Sequence, residues 1–150
     1  MSLRTIGVVG TVLLGIAVVL VAYDDRFGTK ERMSDAHYQE ILVKQLTMNR
    51  QTWATLQRHG VTEQTQLRLD FSYNAASLDA AEGLRAFIQQ ETDYDVHVES
   101  AGSFLRRKWR VEGTTQKTGA SPAVLDQWVT WTVMAGKRCG CDFDGWGTSV

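Results

Sequence analysis

Between residues 67 and 144 the sequence falls four times into the two-residue alternation of a half-buried strand. LRLDFSYN (67–74) sets Leu67, Leu69, Phe71 and Tyr73 against Arg68, Asp70, Ser72 and Asn74. YDVHVE (94–99) sets Tyr94, Val96 and Val98 against Asp95, His97 and Glu99. KWRVEG (108–113) turns Trp109 and Val111 inward, and CGCDFD (139–144) alternates Cys139, Cys141 and Phe143 with Gly140, Asp142 and Asp144. Helical spacing fills the gaps. Ser77 caps a helix through about Gln90, with Leu78, Ala81, Leu84 and Ile88 on its inner face. Ser121-Pro122 is an N-cap followed by proline at the first helical position; that helix carries Leu125, Trp128, Val129 and Thr132 and ends near Gly136.

Strand, helix, strand, strand, helix, strand is the split βαβ order of an α+β, ferredoxin-like fold. It predicts a four-stranded antiparallel sheet with its first and third strands in the middle and both helices on one face. The other face is left polar and of mixed sign: Arg68, Asp70, Ser72 and Asn74 from the first strand, Lys108, Arg110 and Glu112 from the third. Such a face can be wet, can dock a partner, or can be covered by another element.

A further helix precedes this unit. Ser34 is its N-cap, Asp35 lies in its first turn and Gly60 is its stop. Leu42, Leu46, Asn49, Trp53 and Leu56 follow one another at steps of three or four residues, so they share a face, with Asn49 as a break in the stripe.

Residues Ile6 to Tyr23, IGVVGTVLLGIAVVLVAY, carry no charge. At a helical rise of about 1.5 Å per residue they extend about 27 Å, enough for a bilayer core. A cleaved signal peptide has a shorter apolar region and a small-residue cleavage pattern, which Leu20-Val21-Ala22 does not supply. The expected organisation is therefore a flank (1–5), a transmembrane helix (6–23), a linker (24–33), a long helix (34–60) and a ferredoxin-like domain (61–150). Arg26, Lys30 and Arg32 after the span outnumber Arg4 before it, which puts the C-terminal domain in the cytoplasm, on a single-pass protein of the inner membrane. Cys139-Gly140-Cys141 points the same way, because a bridge between residues i and i+2 of one strand is strained and a reducing compartment suits unpaired thiols.

Chemistry is sparse. The chain has 150 residues and a formal net charge of −1, with no broad basic footprint for nucleic acid. The exposed sheet positions lack the aromatics of an RNA-reading sheet. His37, His59 and His97 have no second catalytic group held near them by local spacing. Two cysteines do not make a zinc site, and Asp142-Phe143-Asp144-Gly145 lacks the further ligands of a calcium loop. No cofactor or metal is expected, and no catalytic residue can be assigned. Arg106, Arg107, Lys108 and Arg110 form a basic run at a turn, which reads first as a solvated loop and otherwise as a site for an acidic partner or phosphate. Trp146, between Gly145 and Gly147, either folds over the end of the core or contacts a partner.

Phe143 to Thr148, FDGWGT, resembles the [Y/F]-D-G-W-x-T closing motif of the regulator of ribonuclease E activity B family. WATLQRHG (53–60) is similar to that family's helix before its first strand, and LDFSYNAASLDAAEGL to its strand followed by an Ala-rich helix. Tyr94–Val98 and Trp109–Val111 fit its second and third strands, so the resemblance covers about residues 53–148. It implies a non-enzymatic, ferredoxin-like protein that binds ribonuclease E and lowers its activity. The chain departs from the family's soluble, very acidic type in being near neutral and in carrying the apolar span. Arg106, Arg107, Lys108, Arg110, Asp144, Gly145 and Trp146 are the candidate partner-binding residues. The rival expectation is a diverged domain that binds another protein, such as an envelope partner, or itself through the long helix.

Overall fold

The structure, a computed structural model, describes residues 33–150. The flank 1–5, the apolar segment 6–23 and the linker as far as residue 32 lie outside the described residues. Among the described residues no helix is long and apolar enough to cross a membrane.

The fold of the described residues is α+β, with antiparallel sheets and three helices. Helix α1 (Asp35–Arg58) opens the described chain and is followed by β1 (Gln66–Leu67), β2 (Asp70–Ala75), α2 (Leu78–Glu91), β3 (Asp95–Ala101), β4 (Lys108–Thr114), β5 (Thr118–Gly119), α3 (Pro122–Cys139) and β6 (Cys141–Gly147). The main sheet has the order β3-β4-β2-β6, all neighbours antiparallel, with the predicted central pair in the middle. Strands β3 and β6 are its edges.

The three helices begin as the sequence dictates. The Ser34, Ser77 and Ser121 hydroxyls accept the N–H groups of His37, Ala80 and Val124, each satisfying a donor that the first turn leaves without a helical partner. Their inner faces differ in detail from the expected ones. On α1 the buried residues are Ile41, Gln45, Asn49, Trp53 and Leu56, while Leu42 and Leu46 lie at the flank. On α2, Ala80 and Phe87 join Ala81, Leu84 and Ile88 inside, and Leu78 stays 41% exposed because it sits in the first turn, beyond the end of the sheet. Helix α3 runs past Gly136 to Cys139 and stops at Gly140 in the left-handed conformation. Cys139 is thus helical, and only Cys141 belongs to the last strand.

The first alternating segment is two strands. The Leu69 N–H bonds the Thr115 hydroxyl at 3.0 Å, and the Leu69 carbonyl accepts the Thr115 N–H at 2.9 Å. The chain leaves the main sheet there, and Gln66–Leu67 pairs instead with the short β5, a strand the periodicity did not predict.

Tyr73 is the centre of the core and has no exposed surface. Its ring meets Phe71 and Phe143 edge-on, with centroids at 6.0 and 5.1 Å, and its hydroxyl donates to the Thr132 carbonyl of α3 at 2.8 Å. Burial raises the Tyr73 pKa well above its ordinary value, so the hydroxyl remains a donor. On the same face of the sheet the Cys141 thiol reaches the Ala80 carbonyl of α2. Helices α2 and α3 therefore cover one face together.

The approach of α3 to the sheet depends on Gly136. A Cβ there would overlap the Cys141 carbonyl and press on the Tyr73 ring at 3.1 and 3.2 Å. Gly136→Ala is expected to destabilise the domain by about 1–3 kcal/mol through overpacking. Gly83→Ala, on α2 with nothing within 4 Å of the new methyl, should stabilise it by about 0.5–1 kcal/mol. Urea denaturation of the two variants measures both; equal effects would remove the packing argument.

Candidate partner-binding surface

The strand in CDFDGWGT does not stop at Asp144, where the alternation of 139–144 ends. Strand β6 continues to Gly147, and its register on β2 shifts by one residue between Tyr73 and Ser72. Tyr73 faces Phe143, Ser72 faces Gly145, and Asp144 is the extra, bulged residue. Gly145 takes a φ of 148°, a conformation that side chains rarely adopt. The bulge reverses the alternation. Trp146 becomes the partner of Phe71 and turns to the core side, and two glycines, Gly145 and Gly147, fall on the open face.

Trp146 then has two contacts that fix its role. Its ring meets Trp128 of α3 edge-on, with centroids at 6.0 Å, and its Nε1–H donates to Asn49 Oδ1 at 2.7 Å. Asn49 is 3% exposed, and its Nδ2 donates in turn to Asp126 Oδ1 at 2.9 Å. One α1 side chain thus joins the last strand to α3. One turn earlier the Gln45 amide, 2% exposed, donates to the Asp144 carbonyl at 3.2 Å and the Phe143 carbonyl at 3.4 Å. These carbonyls lie on the edge strand, where no neighbouring strand is available to bond them. Two turns before that, His37 Nε2 lies 3.0 Å from Asp142 Oδ2. Asn49 is therefore the hub of a polar clasp rather than a break in an apolar stripe. Gln45 and Asp126 are the residues that the sequence did not single out, and Asn49 and His37 were noticed there without this role. The signal for Gln45 was a polar side chain four residues before Asn49 on the helix face that has to be buried; Asp126, on α3, carried none.

Because α1 packs on α3 and along the β6 edge, it leaves the face of the sheet opposite α2 and α3 open. A shallow groove crosses that face, with Asp70, Ser72, His97, Glu112 and Thr114 on one side, Gly145 and Gly147 as a floor without side chains, and Met48 of α1 at its rim. Charges of both signs interlace over it. Arg110 lies 3.5 Å from Glu112 and 3.7 Å from Asp144, and its Nε is buried without an acceptor. His97 lies 3.3 Å from Glu99 and 3.7 Å from Glu112. The ligand atoms of His97, Glu99 and Glu112 fall within 4.8 Å of one another, the spacing of a divalent-cation site. The Arg110 guanidinium, already on Glu112, opposes a cation there.

The seven candidate residues thus separate into three places. Arg110 and Asp144 meet on the open face, and Gly145 lies beside them. Arg106 and Arg107 are in the β3–β4 connection and Lys108 opens β4, at the end of the sheet, and all three are exposed. Trp146 is half-buried in the clasp, which favours its structural reading. Searches of protein-family models and of curated proteins return no match to this chain.

Asn49→Ala should cost about 2–3 kcal/mol, because it strands the Trp146 N–H and the Asp126 carboxylate together. Trp146→Phe should cost about 1 kcal/mol from the lost bond. In urea denaturation the double variant should lose clearly less than the sum; strict additivity would show that the two side chains are not coupled.

The hydrogen bond and charge of Asp142, followed by Glu40, raise the His37 pKa above its ordinary 6.5. A raised folded-state value means that the contact stabilises fully below about 6.5 and is lost as pH rises through the folded pKa. In an NMR titration His37 should protonate above 6.5 in the native chain and fall back in Asp142→Asn. Hydrogen-exchange protection in the first turns of α1, corrected for the intrinsic base-catalysed rise, should fall as pH climbs above about 6.5 in the native chain and show no such step in the variant.

Proposed function

We propose that this chain is a membrane-anchored, protein-binding regulator with a ferredoxin-like domain, which lowers the activity of ribonuclease E, or of a related machine, by contact and without catalysis. The strand order, with two helices on one face, supports the name of the fold. The anchor is residues 6–23. The FDGWGT motif supplies the link to ribonuclease E.

The observation that carries the binding reading is the uncovered sheet face. A 24-residue helix is available to close it and is used elsewhere, on the β6 edge. What remains is a broad, shallow surface with alternating charges and a buried, unpartnered guanidinium N–H. Such a surface suits the polar, mixed-sign contact of a regulatory complex, in which charge complementarity sets specificity. On this reading Arg110 and Asp144 are contact residues, and Trp146 holds the platform together from behind.

Co-purification from detergent-solubilised membranes tests it. Ribonuclease E should come down with the native chain and be lost with Arg110→Glu, while Arg58→Glu at the far end of α1 retains it. The melting temperature of Arg58→Glu should stay near native, and that of Arg110→Glu should fall modestly, because a carboxylate at position 110 meets Glu99, Glu112 and Asp144; loss of ribonuclease E counts only at a temperature where the variant is folded. Native chain recovered with no ribonuclease would overturn the ribonuclease reading and turn attention to whichever other protein accompanies it.

A further inference from the structure

The β3–β4 connection breaks the rule that keeps loop tips polar. Phe104 is 87% exposed and Leu105 is 90% exposed, and Arg106, Arg107 and Lys108 follow directly, all exposed. Single exposed apolar residues are ordinary. An adjacent Phe-Leu pair at the tip of a turn, backed by three consecutive cations, is the composition of an interfacial anchor: apolar side chains for the acyl boundary and positive charges for phosphate headgroups. Nothing in the described fold uses either part. The turn is closed by its own Arg106 N–H to Ser103 carbonyl bond at 3.0 Å, which holds the tip outward.

A second, independent observation concerns where this tip lies. Ala101 pairs with Lys108, Trp109 with Ala75, and Ala75 with Cys141, so the connection belongs to the end of the sheet where β2 finishes and β6 begins. The described chain begins at that same end, with the Met33 N–H on the Lys137 carbonyl at 3.4 Å. Leu78, a third exposed apolar residue, is in the first turn of α2, which follows β2 directly at this end. Lys137 and Arg138 close α3 there too, against Asp35, Glu40 and Asp142 of opposite sign. Only ten residues, 24–33, separate the uncharged stretch from this end of the domain. They span at most about 36 Å, and they include three more cations, Arg26, Lys30 and Arg32.

We infer that the β3–β4 tip docks on an anionic bilayer surface, with Phe104 and Leu105 entering the interface and Arg106, Arg107 and Lys108 contacting lipid phosphates. This rests on reading residues 6–23 as an anchor, which brings the tip within reach of the membrane. The domain then stands with one end on the membrane and the open sheet face running away from it, free for a partner. The basic run and the open face have separate occupants.

The full chain is reconstituted into nanodiscs of phosphatidylcholine alone, or with about 30 mol% phosphatidylglycerol, and hydrogen exchange is read at residues 102–108 and at the turn 59–65. In anionic discs exchange at 102–108 should slow by at least about fivefold, with the turn 59–65 unchanged. The protection should be lost in Phe104→Asp/Leu105→Asp and in Arg106→Glu/Arg107→Glu, and should weaken once salt shortens the Debye length well below about 8 Å. Equal exchange at 102–108 in anionic and neutral discs overturns the inference while leaving the anchor intact, as does protection that appears only when ribonuclease E is added. A chain that remains in neither kind of disc overturns anchor and docking together.

Discussion

One inserted residue organises the C-terminal half of this molecule. Without the bulge at Asp144, strict alternation from Phe143 would put Gly145 on the core side and Trp146 out on the open face. The extra residue exchanges them. The largest side chain of the segment then reaches Trp128 and the Asn49 amide, and the open face receives glycines in its place. The groove and the clasp are two sides of the same backbone irregularity. Bulges at sheet edges characteristically re-aim side chains in this way.

The clasp also settles what the long helix is for. An exposed edge strand invites pairing with other chains. Here α1 lies along β6 and the Gln45 amide takes two of its outward carbonyls. The opposite edge, β3, is met by a helix amide at one carbonyl, where Gln89 of α2 donates to Val96 at 3.2 Å, and carries Asp95, His97 and Glu99 along its length. Two different devices, a helix and a row of charges, guard the two edges of one sheet. The buried face of α1 packs within the chain, and Val43 and Met48 are its large exposed apolar residues.

Much of this was legible in residue spacing. Period-two alternation located every strand of the main sheet, and serine caps located all three helix starts, because both signals are local and repeat the geometry they produce. The failures share a cause in contacts distant in sequence. Thr115 splits the first strand by bonding Leu69 from 46 residues away. Asn49 looked like an interruption because its partners, Trp146 and Asp126, are 97 and 77 residues distant. The bulge was invisible because a periodicity shift of one residue, seen in a segment of seven, resembles the end of a strand. The basic run and the DGW segment looked like one site by composition, and topology places them on separate parts of the domain.

The cover that α1 gives β6 has a consequence for where this protein can be cut. By sequence alone the helix reads as a stalk between a membrane segment and a folded unit, and residue 60 looks like a natural boundary. Physically it is the outer wall of the sheet. A fragment beginning after Gly60 would leave the Phe143 and Asp144 carbonyls and the Trp146 indole facing solvent along an unguarded strand. The remaining sheet could still form, but its most accessible neighbour would be the same strand of another molecule. Proteolysis in that connection would thus release a species inclined to polymerise rather than a smaller working domain, because the wall of the sheet begins at the Ser34 cap.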